Sequence, residues 1–155
     1  MDIETVPKGN SVAEIEISYK PILKLSTLAK VQSSEDVYRL LIKTWDKTKL
    51  EFVEQFKVVL LNRTNRILGI CTISTGNSTG TIADPKLIFA VALKSNAGSL
   101  IMVHNHPSGN IVPSKADCKL TQRIKAGGKL LEITILDHLI ISSEGFYSFA
   151  DEGAM

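Results

Sequence analysis

Residues 99–104, SLIMVH, form an unbroken apolar run that ends in a histidine. A run without alternation cannot lie with one face in water, so it predicts a central strand buried on both sides. Such a strand needs covering elements, and the flanking sequence supplies them. ADPKLIFAVALKSNAG (83–98) carries helix punctuation: Asp84 as N-cap, Pro85 at the first helical position and Gly98 as the stop. SKADCKLTQRIKAGGK (114–129) predicts a second capped helix that ends near Gly127 or Gly128. In SSEDVYRLLIKTW (33–45), Val37, Leu40, Leu41 and Thr44 recur at helical spacing behind cap-type serines, which predicts a helix from about Ser34 to Lys47. FKVVLLN (56–62) and RILGICTIS (66–74), joined by a short polar link, read as a β-hairpin. EITILDHLIIS (132–142) is another buried strand and GFYSF (145–149) a last short one. VAEIEISY (12–19) alternates apolar and polar residues as an edge strand does, and STGNSTGT (74–81) is a small-residue loop. The order β-α-β-β-α-β-α-β-β gives an α/β (α+β) single domain with a mixed β-sheet flanked by helices.

At 155 residues the chain can bury a core without staples. No apolar run reaches the length needed to cross a bilayer. The start, MDIETVPKGN, has neither a basic n-region nor an apolar h-region, so a cytoplasmic protein without membrane association is expected. Cys71 and Cys118 are the only cysteines, too few and too far apart for a disulfide framework or a thiolate zinc site. A net charge of +2 does not argue for nucleic acid by bulk electrostatics.

The chemistry concentrates in HNHPSGNIVPSKAD (104–117), which holds two of the three histidines. Residues i and i+2 of an extended chain point to one side, so His104 and His106 can face a single spot just past the strand end. Pro107 and Gly109 then turn the chain. Asp117 shares the apolar face of the following helix with Leu120 and Ile124, and a carboxylate there must be satisfied by something. Two imidazoles and a carboxylate make a sound zinc ligand set, leaving a position for water. The alternative is plainer. Ser114 and Asp117 fit the S-x-x-D pattern of a capping box, which needs no metal.

His104-x-His106, seven residues, Ser114, two residues and Asp117 resemble the JAMM motif of the MPN (JAB) metalloprotease superfamily. The wider text, with LDHLII downstream, is more similar to the bacterial RadC-like branch, over roughly Val31 to the C-terminus. The resemblance implies an MPN/JAB-like (cytidine-deaminase-like) fold over residues 31–155, after a short N-terminal segment, 1–30, with one strand. It implies one Zn2+ per chain held by His104, His106 and Asp117, with Ser114 steadying the oxyanion of the tetrahedral intermediate. It implies a glutamate general base on an upstream strand, and EQFKVVLLN nominates Glu54, with Glu51 as competitor. The implied reaction is hydrolysis of an amide bond, peptide or isopeptide, in a peptide or protein substrate. Full-length RadC-like proteins usually carry an N-terminal helix-hairpin-helix-type region, associated with DNA binding, for which residues 1–30 are too short, which weakens an expectation of DNA repair. Asn77 stands where similar sequences often have a second glycine.

Two other functions stay open: a DNA-associated protein of RadC type, and a non-catalytic MPN scaffold. For the first, Lys115, Lys119 and Arg123 form an i, i+4, i+8 basic stripe that more often is only a solvated face. His138 or Asp137 could support a metal-bound histidine, but consecutive strand residues point oppositely, so only one of them can face the site. Cys118 points about 100° away from Asp117 on a helix and is not expected to be a ligand.

Overall fold

The computed structural model describes residues 22–76 and 83–155. The alternating segment 12–19, and residues 77–81 of the small-residue loop with Asn77, lie outside the described residues. In chain order the elements are α1 (Ser34–Thr44), α2 (Lys47–Leu50), β1 (Gln55–Leu61), β2 (Ile67–Thr75), α3 (Pro85–Lys94), β3 (Ser99–Asn105), α4 (Lys115–Leu130), β4 (Thr134–Ile141) and β5 (Phe146–Ser148). The strands form one mixed sheet in the order β2-β1-β3-β4-β5. Only β3 and β4 run parallel, joined through α4, while the other pairings are antiparallel.

The apolar run forms the central strand, and all seven residues of β3 are buried. Its two faces serve two cores. Leu100 and Met102 join Phe56, Val58 and Leu60 beneath α3 and α4, which contribute Ile88, Ala92 and Ile124. Ile101 and Val103 join Val59, Leu61, Leu139 and Ile141 against Val37 and Leu41 of α1 and Leu50 of α2. The chain is therefore a helix–sheet–helix sandwich, the mixed α/β architecture that the element order predicts.

Three boundaries differ from expectation, each for a local reason. The helix expected over 34–47 is two helices. Trp45 leaves α1 in an extended conformation, and the Asp46 side chain accepts from the Thr48 N–H, which starts α2 afresh. Gly127 and Gly128 do not stop α4; they lie inside it. A Cβ on Gly128 would stand 2.5 Å from the Ile133 carbonyl oxygen, so the glycine lets α4 approach the chain entering β4. The reversal falls to Glu132, at φ 57°. Likewise α3 ends at Lys94, with Asn96 at φ 53° taking the left-handed turn expected of Gly98.

A bulge in β4 sets which of its polar side chains reaches the end of β3. Leu100 pairs with Ile135 but Ile101 pairs with Asp137, so Leu136 is an extra residue. The side-chain alternation reverses there. His138 pairs with Met102 and faces the α4 side of the sheet, while Asp137 faces away from it.

Candidate metal centre

Three elements meet at the C-terminal end of β3. His104 is the penultimate residue of the strand and is 1% exposed. His106 follows one residue past the end, its N–H bonded to the Ile141 carbonyl, 3.0 Å. Pro107, Ser108 and Gly109 then form a tight turn closed by the Gly109 N–H on the His106 carbonyl, 3.0 Å, with Gly109 at φ 82°. The turn carries the Asn110 carbonyl to within 2.5 Å of His106 Nδ1. A carbonyl only accepts, so Nδ1 carries the proton and a neutral His106 has its lone pair on Nε2.

Ser114 and Asp117 close a full capping box at the start of α4. Asp117 Oδ2 accepts from the Ser114 N–H and hydroxyl, both at 2.7 Å, and the Asp117 N–H donates to Ser114 Oγ at 3.1 Å. The box uses one carboxylate oxygen. The other, Oδ1, lies 3.3 Å from His104 Nε2. His104 Nε2 and His106 Nε2 are 3.0 Å apart. The cap and the ligand set are thus compatible readings of one side chain. Potential ligand atoms of His104, His106 and Asp117 all lie within 4.8 Å of one another, so the group could hold a metal ion. Burial pushes the Asp117 carboxyl up, but the His104 ring, when its Nε2 carries a proton, and the Ser114 hydroxyl and N–H outweigh it and hold its pKa well below the usual carboxylate range. The Asp117 carboxyl is therefore ionised across the neutral range.

Behind His104 lies a second layer of buried polar groups. His104 Nδ1 is 2.9 Å from His138 Nε2. His138 Nδ1 is 2.7 Å from Thr121 Oγ1, which donates to the Asp117 carbonyl at 2.8 Å. Phe56 stacks on His104 and Phe149 on His138. Burial, and the two other histidines, hold the His138 pKa well below the ordinary histidine range. Asp137 supports no histidine side chain. It accepts from Ser148 Oγ at 2.6 Å, the Ala150 N–H at 2.9 Å and the His138 N–H at 2.7 Å, tying the C-terminal turn to β4.

Glu54 immediately precedes β1 and is partly buried, its carbonyl accepting from the Gly76 N–H at 2.9 Å. Phe56 pairs with His104 across antiparallel strands, so Glu54 stands two residues before the first β1 residue of that pairing, on the side where β3 ends. Its carboxylate is outside the three-residue ligand cluster. Glu51 instead accepts from Ser143 Oγ at 2.6 Å and borders a cavity of about 150 Å³ beside His106 and Pro107. Ser114 is exposed, with its hydroxyl proton directed to Asp117. Lys115, Lys119 and Arg123 are exposed, as is Cys118.

Two residues of the site carry no signal in the motif or its spacing. Asn105, between the histidines, donates to the carbonyls of Leu50 (2.7 Å) and Val53 (3.0 Å) and accepts from the Gln55 N–H (2.7 Å). It clamps the segment that carries Glu54. The one clue to it in the sequence is an amide at the end of a wholly buried strand, which must find partners. Thr121 stands four residues after Asp117, one helical turn on, and is fully buried.

A family model described as RadC-like JAB domain matches residues 31–154. A UPF0758 protein of Flavobacterium johnsoniae is 41% identical over 132 residues, covering 85% of this chain and 55% of that protein. One from Methanosarcina mazei is 40% identical over 158 residues, covering 99% of this chain and 67% of that protein. One from Alkaliphilus metalliredigens is 37% identical over 126 residues, covering 81% of this chain and 53% of that protein. The chain spans about half the length of most of these curated relatives. No helix among the described residues is long and apolar enough to cross a membrane. The sheet order, the histidine-bearing strand end, the capped Asp117 and the match over residues 31–154 agree: the chain belongs to the RadC-like JAB domain family, a branch of the JAB (MPN) superfamily.

Proposed function

We propose that this protein is a zinc-dependent hydrolase of amide bonds, peptide or isopeptide, with His104, His106 and Asp117 as the metal ligands. The observation that carries the reading is the convergence of acceptors. His106 Nε2 and the Asp117 carboxylate bring lone pairs to within reach of His104 Nε2, and a nitrogen–nitrogen–oxygen donor set of this kind suits zinc. Zinc held there would polarise the scissile carbonyl and acidify water at the site.

The residues around it then have distinct tasks. The Glu54 carboxylate takes a proton from the attacking water and returns it to the leaving amine. Asn105 holds the Glu54 segment against the end of β3. Ser114, by rotating its hydroxyl away from Asp117, donates to the oxyanion; loss of one such donor costs about a hundredfold or more in rate. Phe56 and Phe149 keep water from the rear of the histidines.

The test is turnover of a panel of peptide and isopeptide substrates by zinc-loaded wild type and Glu54→Gln. The expected result is cleavage by wild type and a drop of about 10²–10⁴-fold in the variant, with zinc content unchanged. Equal turnover by the two would remove Glu54 from the mechanism. Zinc uptake with no cleavage of any amide would favour a non-catalytic scaffold.

A DNA-associated role is the second reading, motivated by the exposed Lys115, Lys119 and Arg123 on the same helix as Asp117. It predicts salt-sensitive DNA binding weakened by Lys119→Ala and Arg123→Ala. No binding at low salt would dispose of it.

A further inference from the structure

Thr121 and His138 lie behind the candidate ligands, and the two contacts of the His138 ring, Nδ1 with Thr121 and Nε2 with His104 Nδ1, take their direction from the tautomer of His138. The chain of directions begins at the Asp117 carbonyl. That oxygen has no proton to give, so the Thr121 hydroxyl donates to it, 2.8 Å. Having spent its proton, Thr121 Oγ1 offers a lone pair to His138 Nδ1, 2.7 Å away, and Nδ1 must be the protonated nitrogen. His138 is fully buried, and an imidazolium there would lose its hydration without a carboxylate in contact. The ring is therefore neutral, and its Nε2 is bare. That bare nitrogen is 2.9 Å from His104 Nδ1, which must then be the donor. With the proton of a neutral His104 fixed on Nδ1, its Nε2 is left as a lone pair.

We infer that Thr121 and His138 are positioning residues that set the tautomer of His104 through a one-way relay, Asp117 carbonyl to Thr121 to His138 to His104. The relay rests on the metal reading for its purpose, and on hydrogen-bond directions alone for its existence. Its geometry makes α4 serve twice. The side chain of Asp117 is a ligand, and its backbone carbonyl, one turn before Thr121, anchors the relay that prepares a second ligand. His106 has its own anchor in the Asn110 carbonyl, 2.5 Å from Nδ1. Each imidazole thus has its Nδ1 proton tied down separately and its Nε2 turned to the same point. The metal-binding histidines of proteins commonly donate their other N–H to a carbonyl, carboxylate or water. A second, fully buried imidazole in that place is unusual, because an imidazole accepts only if something fixes its own tautomer. Thr121 does so.

The test uses the full chain, metal-free, with 15N-labelled histidine, and reads long-range 1H–15N correlations at neutral pH. The relay predicts a proton on His104 Nδ1, a proton on His138 Nδ1 and none on His138 Nε2. A proton on His138 Nε2, with none on His104 Nδ1, would overturn it. Thr121→Val removes the acceptor for His138 Nδ1 while keeping the shape. The expected spectrum then shows His138 protonated at Nε2, which moves the His104 proton onto its own ligand nitrogen. Zinc affinity, measured by competition with a chelator, should fall about 10–100-fold in Thr121→Val and stay within about threefold of wild type in Thr121→Ser, which restores the hydroxyl. Unchanged tautomers and unchanged affinity in a folded Thr121→Val would contradict the relay. Wild type that shows the predicted tautomers yet takes up no zinc would contradict the metal reading and leave the relay supported.

Discussion

The helices α1 and α4 begin on the same four-residue pattern, Ser-x-x-Asp, at Ser33–Asp36 and at Ser114–Asp117, and both fold into a closed capping box. In the first, Asp36 is exposed and its Oδ2 accepts from the N–H groups of Gln32 and Ser33 at 3.0 and 3.1 Å. That is a cap and nothing more. In the second, Asp117 Oδ2 accepts from the Ser114 N–H at 2.7 Å, the side chain is 16% exposed, and Oδ1 is turned to His104. The pattern is local, but the difference is not. A strand end carrying two histidines stands in front of one cap, and solvent in front of the other. A short motif can place a carboxylate; only its surroundings decide whether the carboxylate has spare valence and something to do with it.

The largest expected effect breaks the pair apart. Asp117→Ala should abolish stoichiometric zinc uptake, measured by elemental mass spectrometry, while Asp36→Ala leaves uptake at the wild-type level. Next come two residues that are buried and fully engaged but lie off the histidine face. Asp137→Ala strands three donors and Asn105→Ala three backbone groups. At about 1–3 kcal/mol for each buried group left unpaired, either change should cost about 3 kcal/mol or more in denaturant unfolding. Both variants, where folded, should keep zinc. Asn105→Ala should also speed amide exchange at Gln55, since that N–H loses its acceptor. Ser33→Ala, which removes the N-cap side chain of α1, should cost about 1 kcal/mol, the ordinary worth of a cap. The smallest effect belongs to Cys118→Ser, beside Asp117 but exposed, which should stay within about 0.5 kcal/mol. A large loss of zinc in that variant would mean the site extends along α4 beyond Asp117.

How much of this is legible in the chain depends on the range of the interactions involved. The central strand, the capped α4 and the spacing of His104, His106 and Asp117 follow from periodicities within a few residues. The break at Trp45 escapes periodicity because Asp46 competes for the backbone and starts a helix of its own. Gly127 and Gly128 look like stops, but their purpose is close approach, to Phe89 and to the Ile133 carbonyl, rather than helix termination. The choice between Asp137 and His138 has no local answer at all. Alternation says only that they face opposite ways, and the extra residue Leu136 decides which one faces the histidines. The Asn105 clamp and the Thr121 relay join elements far apart in sequence, and spacing along the chain gives no access to them.

If the end of β3 and the start of α4 together form a zinc site, the most direct test is calorimetric titration of zinc into metal-free wild type, beside His104→Ala and Asp117→Ala. The expected result is one equivalent bound by wild type and no stoichiometric binding by either folded variant. Wild type that binds no zinc, or variants that bind it as wild type does, would contradict the zinc site and leave Ser114–Asp117 as a second cap like the first.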